Sequence, residues 1–279
     1  SQPPSRNNLL PAAITYSSDH KYESYPTRNP TAPTMPVYIV TGANRGLGLE
    51  FTRQISQDPS NVLLASVRTA SSDVADLEAA SKPNADNTHV LTCDTSDLAS
   101  IEAFAADVKK TLGDKKVDFL INNGAINSVP EQTSLSITAE GLAEQMKVNV
   151  LGPAKTTEFL LAAGVLAPEA RLVNMTSGLG SMVVSLSITP RKCATYSISK
   201  AALNALTVQQ SGELREEGKV GPKCVVVCMD PGWVKTRMGG DGAVLEPEES
   251  IGGMLKCIRG LGEGDNGKFY TYTGKEVPW

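Results

Sequence analysis

The stretch Tyr38-Ile-Val-Thr-Gly-Ala-Asn-Arg-Gly-Leu-Gly-Leu-Glu50 (YIVTGANRGLGLE) decides the fold. A short apolar run ends at Thr41, and glycines follow at Gly42, Gly46 and Gly48. Leu47, Phe51 and Ile55 then repeat at helical spacing. A strand that breaks into a glycine turn and restarts as a helix offers backbone N–H groups and a helix N-terminus to an anion. The remaining residues must say which anion, and for what chemistry.

Working outward, the same alternation recurs. Val62–Val67, His89–Leu91, Val117–Ile121, Leu172–Met175 and Cys224–Met229 are short apolar runs rich in Val, Ile and Leu, the pattern of strands buried on both faces. Helical patterns lie between them: Ile101, Phe104 and Val108, then Ile251, Leu255 and Ile258. Lys268–Thr273 reads as a last short edge strand. Strand and helix in strict turn predict an α/β, Rossmann-type doubly wound parallel sheet of about seven strands, with helices on both faces. Residues 1–34 differ: they hold six prolines, many polar residues and no periodicity, and read as an arm ahead of one domain over 35–279.

Bulk properties narrow the function. The net charge is -4 with acids and bases interspersed, which gives no footprint for nucleic acid or a membrane surface. No apolar run approaches the ~20 residues of a membrane span. Five cysteines, none in a CxxC, fit reduced thiols and a cytoplasmic setting. Cys224 and Cys228 share one strand face as buried small hydrophobes. With only His20 and His89, a His-rich metal site and a Ser-His-Asp hydrolase are disfavoured, and no metal is expected. Acid–base chemistry has to use something other than imidazole.

In this sheet class a ligand sits at the carboxyl ends of the strands, where strand order reverses. Gly42-x-x-x-Gly46-x-Gly48 meets the needs of a dinucleotide turn: a tight bend, close approach to a pyrophosphate and close helix packing. An acid about twenty residues on would hydrogen-bond an NAD ribose. The second strand ends instead in Ser66-Val67-Arg68-Thr69, where Arg68 offers a planar fork to a 2′-phosphate, with Arg45 on the same side. NADP(H) is therefore expected over NAD(H). Tyr196 and Lys200, four apart at the head of a helix, present a phenol and an ammonium side by side. Asn149 lies in a predicted helix, Glu140–Leu161, with Pro153 four residues on; proline has no N–H to give the Asn149 carbonyl, so the helix should bend there.

Taken jointly, Thr41-Gly-Ala-Asn-Arg-Gly-Leu-Gly48, Cys93-Asp94, Asn122-Asn-Gly-Ala125, Asn149, Ser177, Tyr196 with Lys200, and Pro231-Gly-Trp-Val-Lys-Thr236 resemble the short-chain dehydrogenase/reductase family over residues 36–279. Trp233–Gly240 and the ending Gly267–Trp279 resemble its C-factor-like and sniffer-like carbonyl reductase branch. The resemblance implies NADPH-dependent reduction of a ketone, aldehyde or quinone-like carbonyl. Tyr196 would then be the proton donor, with Lys200 lowering its pKa and holding the nicotinamide ribose. Ser177 would orient the substrate oxygen, and Asn149 would help hold a relay water. Gly42, Asn44, Arg45, Gly46, Leu47, Gly48 and Arg68 would line the cofactor. Asp94 would serve its adenine, Asn123 would support the backbone beside the adenosine ribose, and Pro231, Gly232, Val234 and Thr236 would line the nicotinamide amide. A homodimer or homotetramer through the helices carrying Asn149 and Tyr196 is also implied.

Three departures carry expectations. Family members read Asn-Asn-Ala-Gly where this chain has Asn122-Asn123-Gly124-Ala125. An alanine forced to positive φ at 125 would be strained by roughly 1 kcal/mol or more. The long segment between Ser177 and Tyr196 reads either as a wall over the substrate pocket or as a strand outside it. The short Gly-rich loop after Thr236 suggests a reduced flap and an open pocket. Two other functions stay in view: a non-redox dinucleotide-binding scaffold, and a lyase or epimerase reaction on the same fold.

Overall fold

A computed structural model describes residues 35–279; the expected arm, with His20, lies outside the described residues. The elements run β1 (Val37–Val40), α1 (Gly46–Ile55), β2 (Val62–Val67), α2 (Ala75–Ser81), β3 (Thr88–Thr92), α3 (Leu98–Leu112) and β4 (Val117–Asn122). They continue with α4 (Ala139–Met146), α5 (Gly152–Ala162), β5 (Leu166–Met175), α6 (Met182–Ser185), α7 (Ala194–Glu213), β6 (Val225–Asp230), α8 (Pro247–Gly260) and β7 (Phe269–Thr271).

The strands form one parallel sheet in the order β3-β2-β1-β4-β5-β6-β7, so strand order reverses between β1 and β4. Successive residues of the buried strands serve opposite faces. Tyr38, Val40 and Ile121 join Phe51 and Ile55 of α1, Leu77 of α2 and Ile251 and Ile258 of α8 in one core. Val37, Ile39 and Leu120 join Ile101, Phe104 and Val108 of α3 and Leu160 of α5 in the other. This two-sided burial is why β1, β2, β4 and β6 read as continuous apolar runs rather than alternating ones. β3, expected to be buried at His89–Leu91, lies at the sheet edge and is partly exposed along its whole length. No helix of the described residues is long and apolar enough to cross a membrane.

Two boundaries differ from the sequence reading for physical reasons. β5 begins at Leu166, well before Leu172, because Pro168, Glu169 and Arg171 interrupt the apolar run and the pairing register with β4 shifts between Val117 and Phe119. The helix expected over Glu140–Leu161 is broken by a π turn, Lys147–Leu151, in which the Gly152 N–H reaches the Lys147 carbonyl. The interruption falls where Pro153 removes a donor, and it is centred on Asn149.

Candidate active site

Where strand order reverses, the β1 and β4 ends are tied together through Thr41 and Asn123. The Thr41 hydroxyl accepts from the Asn123 and Gly124 amides (3.0 and 2.9 Å). Asn123 Nδ2 donates back to the Thr41 carbonyl (2.8 Å) and the Gly42 carbonyl (3.3 Å). Gly42 and Gly46 hold positive φ (67° and 52°), which lets the chain turn sharply into α1. A Cβ at Gly48 would fall 2.1 Å from the Gly42 carbonyl oxygen, so the turn closes onto the helix only because that position is bare.

Arg45, the N-cap residue of α1, is extended and no side chain caps the helix. A helix N-terminus without a capping acceptor presents its first amides and the positive end of its dipole to a ligand. Those amides open onto a cleft lined by Gly42, Asn44, Arg45, Gly46, Leu47, Arg68 and Asn123 on one side and by Tyr196, Lys200, Pro231 and Thr236 on the other. A neighbouring hollow is shared by Asn44, Arg45, Arg68, Thr69 and Ser72, with Asp73 and Asp76 at its rim. The uncapped amides, the close turn and the two arginines fit a phosphorylated dinucleotide.

α7 carries Tyr196 and Lys200 to the far wall. Lys200 is buried (2% exposed), and its ammonium donates to the Met175 carbonyl (2.6 Å) and lies 5.5 Å from the centre of the Tyr196 ring. Burial pulls the Lys200 pKa down to about 7, opposed by the Cys228 thiol. The sequence reading had Lys200 lowering the phenol; here the Tyr196 pKa is pushed up, by burial first and then by the charges of Asp230 and Cys193. Lys200 is not among the groups that shift the phenol, because its own depressed pKa leaves it uncharged where a phenol ionises.

Asn149 is fully buried and works as a clamp. Its Oδ1 accepts from the Ile126 amide (2.8 Å), and its Nδ2 donates to the Ile126 carbonyl (2.9 Å) and to Ser199 Oγ (3.0 Å). Ser199 in turn donates to the Tyr196 carbonyl (2.8 Å). Ser177, at the end of β5, accepts from the Leu179 amide (3.2 Å) and starts a short 3-10 turn. Its neighbour Thr176 lines the cleft. Asp94 Oδ1 accepts from the Ser96 amide and hydroxyl (2.9 and 2.8 Å), while its neighbours Cys93 and Thr95 line the cleft. Gly48, Gly232 and Val234 support the cleft from behind its surface: the Gly232 amide donates to Asp230 (3.0 Å), and Val234 is buried and bridges to Leu245.

The three departures resolve as follows. Ala125 does not have positive φ, and a Cβ at Gly124 would meet Thr41 at an ordinary 3.4 Å, so the exchanged pair carries no backbone strain. The segment after Ser177 forms no strand; α6 packs against the chain end, with Ser181 Oγ donating to the Pro278 carbonyl (2.5 Å) and the Val183 amide to that of Trp279 (3.2 Å). The loop after Thr236 is short but pinned. Trp233 Nε1 donates to the Gly239 carbonyl (2.8 Å), the Gly240 amide to the Thr236 carbonyl (3.1 Å), and the Gly239 amide to Thr236 Oγ1 (3.2 Å). It brings Arg237 and Met238 to the cleft, and Thr95, Ile126, Val148, Met175 and Thr176 are further lining residues that motif spacing did not mark.

A parallel sheet with this crossover, a glycine turn opening at it and a Tyr–Lys pair facing that turn define a nicotinamide-dinucleotide oxidoreductase fold. Residues 36–243 match the short chain dehydrogenase family, and the chain belongs to it. Among relatives, C-signal of Myxococcus xanthus is 36% identical over 163 residues, 58% of this chain and 93% of that protein. Among solved structures, the NADPH-bound carbonyl reductase from chicken fatty liver is 32% identical with a TM-score of 0.78, covering 88% of this chain and 100% of that one. The carbonyl reductase Sniffer of Drosophila melanogaster is 29% identical with a TM-score of 0.76 at the same coverage.

Proposed function

We propose that this oxidoreductase catalyses NADPH-dependent reduction of a ketone, aldehyde or quinone-like carbonyl to the alcohol. The observation that carries the reading is the pairing, across one cleft, of an uncapped glycine turn flanked by Arg45 and Arg68 with Tyr196 and the buried Lys200. When bound, the cofactor supplies a hydride to the carbonyl carbon. The Gly46, Leu47 and Gly48 amides and the α1 dipole hold its diphosphate, with Asn44 and Gly42 shaping the turn. Arg45 and Arg68 hold its 2′-phosphate. Asp94 and Asn123 serve the adenosine end, and Pro231, Gly232, Val234 and Thr236 the nicotinamide end.

Tyr196 donates the proton to the substrate oxygen. A phenol held above its ordinary value is protonated at neutral pH, which is the form an acid in the reductive direction needs. Ser177 orients the substrate oxygen, Lys200 holds the nicotinamide ribose, and Asn149 helps hold a relay water while fixing the wall beside Tyr196. The protein acts in the cytoplasm as a homodimer or homotetramer. Exposed Leu151 at the head of α5, and Ile198 and Val208 on α7, supply an apolar face for that pairing. The catalytic domain spans 35–279.

NADPH oxidation followed by the loss of its nicotinamide absorbance against a panel of carbonyls tests the reading. Tyr196→Phe should bind NADPH as the wild type does and lose at least ~10²-fold in turnover. Unchanged turnover rejects the assignment of the acid. Tight NADPH binding with no carbonyl reduced would favour the scaffold function instead.

A further inference from the structure

Three guanidinium groups line the cofactor cleft: Arg45, Arg68 and Arg237. Among the described residues none of them has an ion-pair or side-chain hydrogen-bond partner. The chain has more acids than bases, 30 against 26, yet no carboxylate is placed on these three. Asp73, at the rim of the neighbouring hollow, has its Oδ1 on the Ala75 amide at the head of α2 (3.1 Å). Arg45 feels both of the others: it is held below its ordinary pKa by burial first, then by Arg237, then by Arg68. Three arginines without ion-pair partners in one cleft, with Asp73 and Asp76 only in the neighbouring hollow, are a site for a polyanion.

The three are not equivalent in position. Arg45 and Arg68 line both the cleft and the neighbouring hollow; Arg237 lines the cleft alone. Arg237 follows Thr236, whose methyl carbon lies 3.8 Å from where a Cβ on Gly46 would sit, so the loop after β6 rests on the glycine turn. That loop is fixed by the Trp233 and Thr236 hydrogen bonds and by the Lys235 amide on the Leu245 carbonyl (2.9 Å). Only the Arg237 side chain remains to be ordered on binding, which keeps the entropic cost small.

We infer that Arg237 is a third anion-binding residue, reaching across from the loop after β6 to close on the bridging diphosphate of the dinucleotide opposite the α1 amides. This rests on the nicotinamide-dinucleotide reading above and extends it to a residue of the Trp233–Gly240 stretch to which that reading gave no role. Arg68 and Arg237 then divide the work. Arg68 distinguishes phosphorylated from unphosphorylated cofactor, whereas Arg237 serves both equally.

Titration of wild type, Arg237→Gln, Arg237→Lys and Arg68→Gln with NADPH, NADH, ADP-ribose and adenosine 2′-monophosphate tests the division, with thermal melts confirming that each variant folds. Arg237→Gln should weaken NADPH, NADH and ADP-ribose by a common factor of about tenfold, with adenosine 2′-monophosphate, which lacks the diphosphate, unaffected. Arg237→Lys should recover part of the loss. Arg68→Gln should weaken NADPH and adenosine 2′-monophosphate and spare NADH. Undiminished binding of all four ligands by Arg237→Gln, a loss confined to the 2′-phosphorylated ligands, or a change only in substrate KM at saturating cofactor overturns the inference. Wild-type protein that binds none of them overturns the cofactor reading itself.

Discussion

Replacing Gly48 with alanine pits two forces of opposite sign against each other. Gly48 is the third residue of α1, and in a helix the exchange would ordinarily stabilise by up to ~1 kcal/mol. Here the new methyl would lie 2.1 Å from the Gly42 carbonyl oxygen and 2.8 Å from Asn123 Nδ2. Relief to ordinary contact requires the turn to move by roughly 1 Å or more, and overpacking of this kind costs about 1–3 kcal/mol. The contact should win: Gly48→Ala is expected to lose about 1–2 kcal/mol in urea unfolding. NADPH affinity should fall at least ~10-fold, because the amides that meet the diphosphate move with the turn. Gly124→Ala is the matched control. Its methyl would meet Thr41 Oγ1 at 3.4 Å, and its stability should stay within ~0.5 kcal/mol of wild type. A Gly48→Ala protein as stable as the wild type, with NADPH affinity intact, would refute the close-approach argument.

Asn149→Ala should be costly even though residue 149 lies inside the helical run. It strands the Ile126 amide and carbonyl, and a loss of about 2–4 kcal/mol in denaturant unfolding is expected; a change under ~0.5 kcal/mol would rule the clamp out. Lys200 gives a pH signature. Its folded pKa of about 7 lies below its unfolded value of about 10.5, so between these the unfolded chain binds the extra proton and stability rises with pH, by up to ~1.4 kcal/mol per unit. Lys200→Met should flatten that rise between pH 7 and 9, and parallel curves for the two proteins would contradict the buried, depressed ammonium.

Much of the scaffold is written locally. Strands buried on both faces betray themselves as unbroken Val, Ile and Leu runs, and α1, α3 and α8 show their inner faces by spacing. α2 escaped because it buries little beyond Leu77 and so has no period to detect. The first half of β5 escaped because Pro168 and a register shift interrupt it. The site divides in the same way. Gly42, Arg45, Arg68, Tyr196 and Lys200, which line the cleft, were legible because they stand at fixed spacing within one element or follow a strand end. Arg237 and Met238 depend on how a pinned loop folds back over a turn nearly two hundred positions away, which no local pattern encodes. The direction of the Tyr196 shift was misjudged for a related reason. Helical spacing places Lys200 beside the ring, but only the fold shows the burial that raises the phenol and draws the charge from Lys200.

The thread from Ile126 through the Asn149 amide and Ser199 Oγ to the Tyr196 main chain laces the two jaws of the cleft into one frame. Neither jaw can open without pulling on the other, so a roomier pocket cannot be had by loosening a helix without also moving Tyr196. Ile126 joins this frame through its main chain alone, and its side chain can change size while the frame holds. A change in the size of what the cleft admits thus has a route that leaves the Tyr196–Lys200 pair in place.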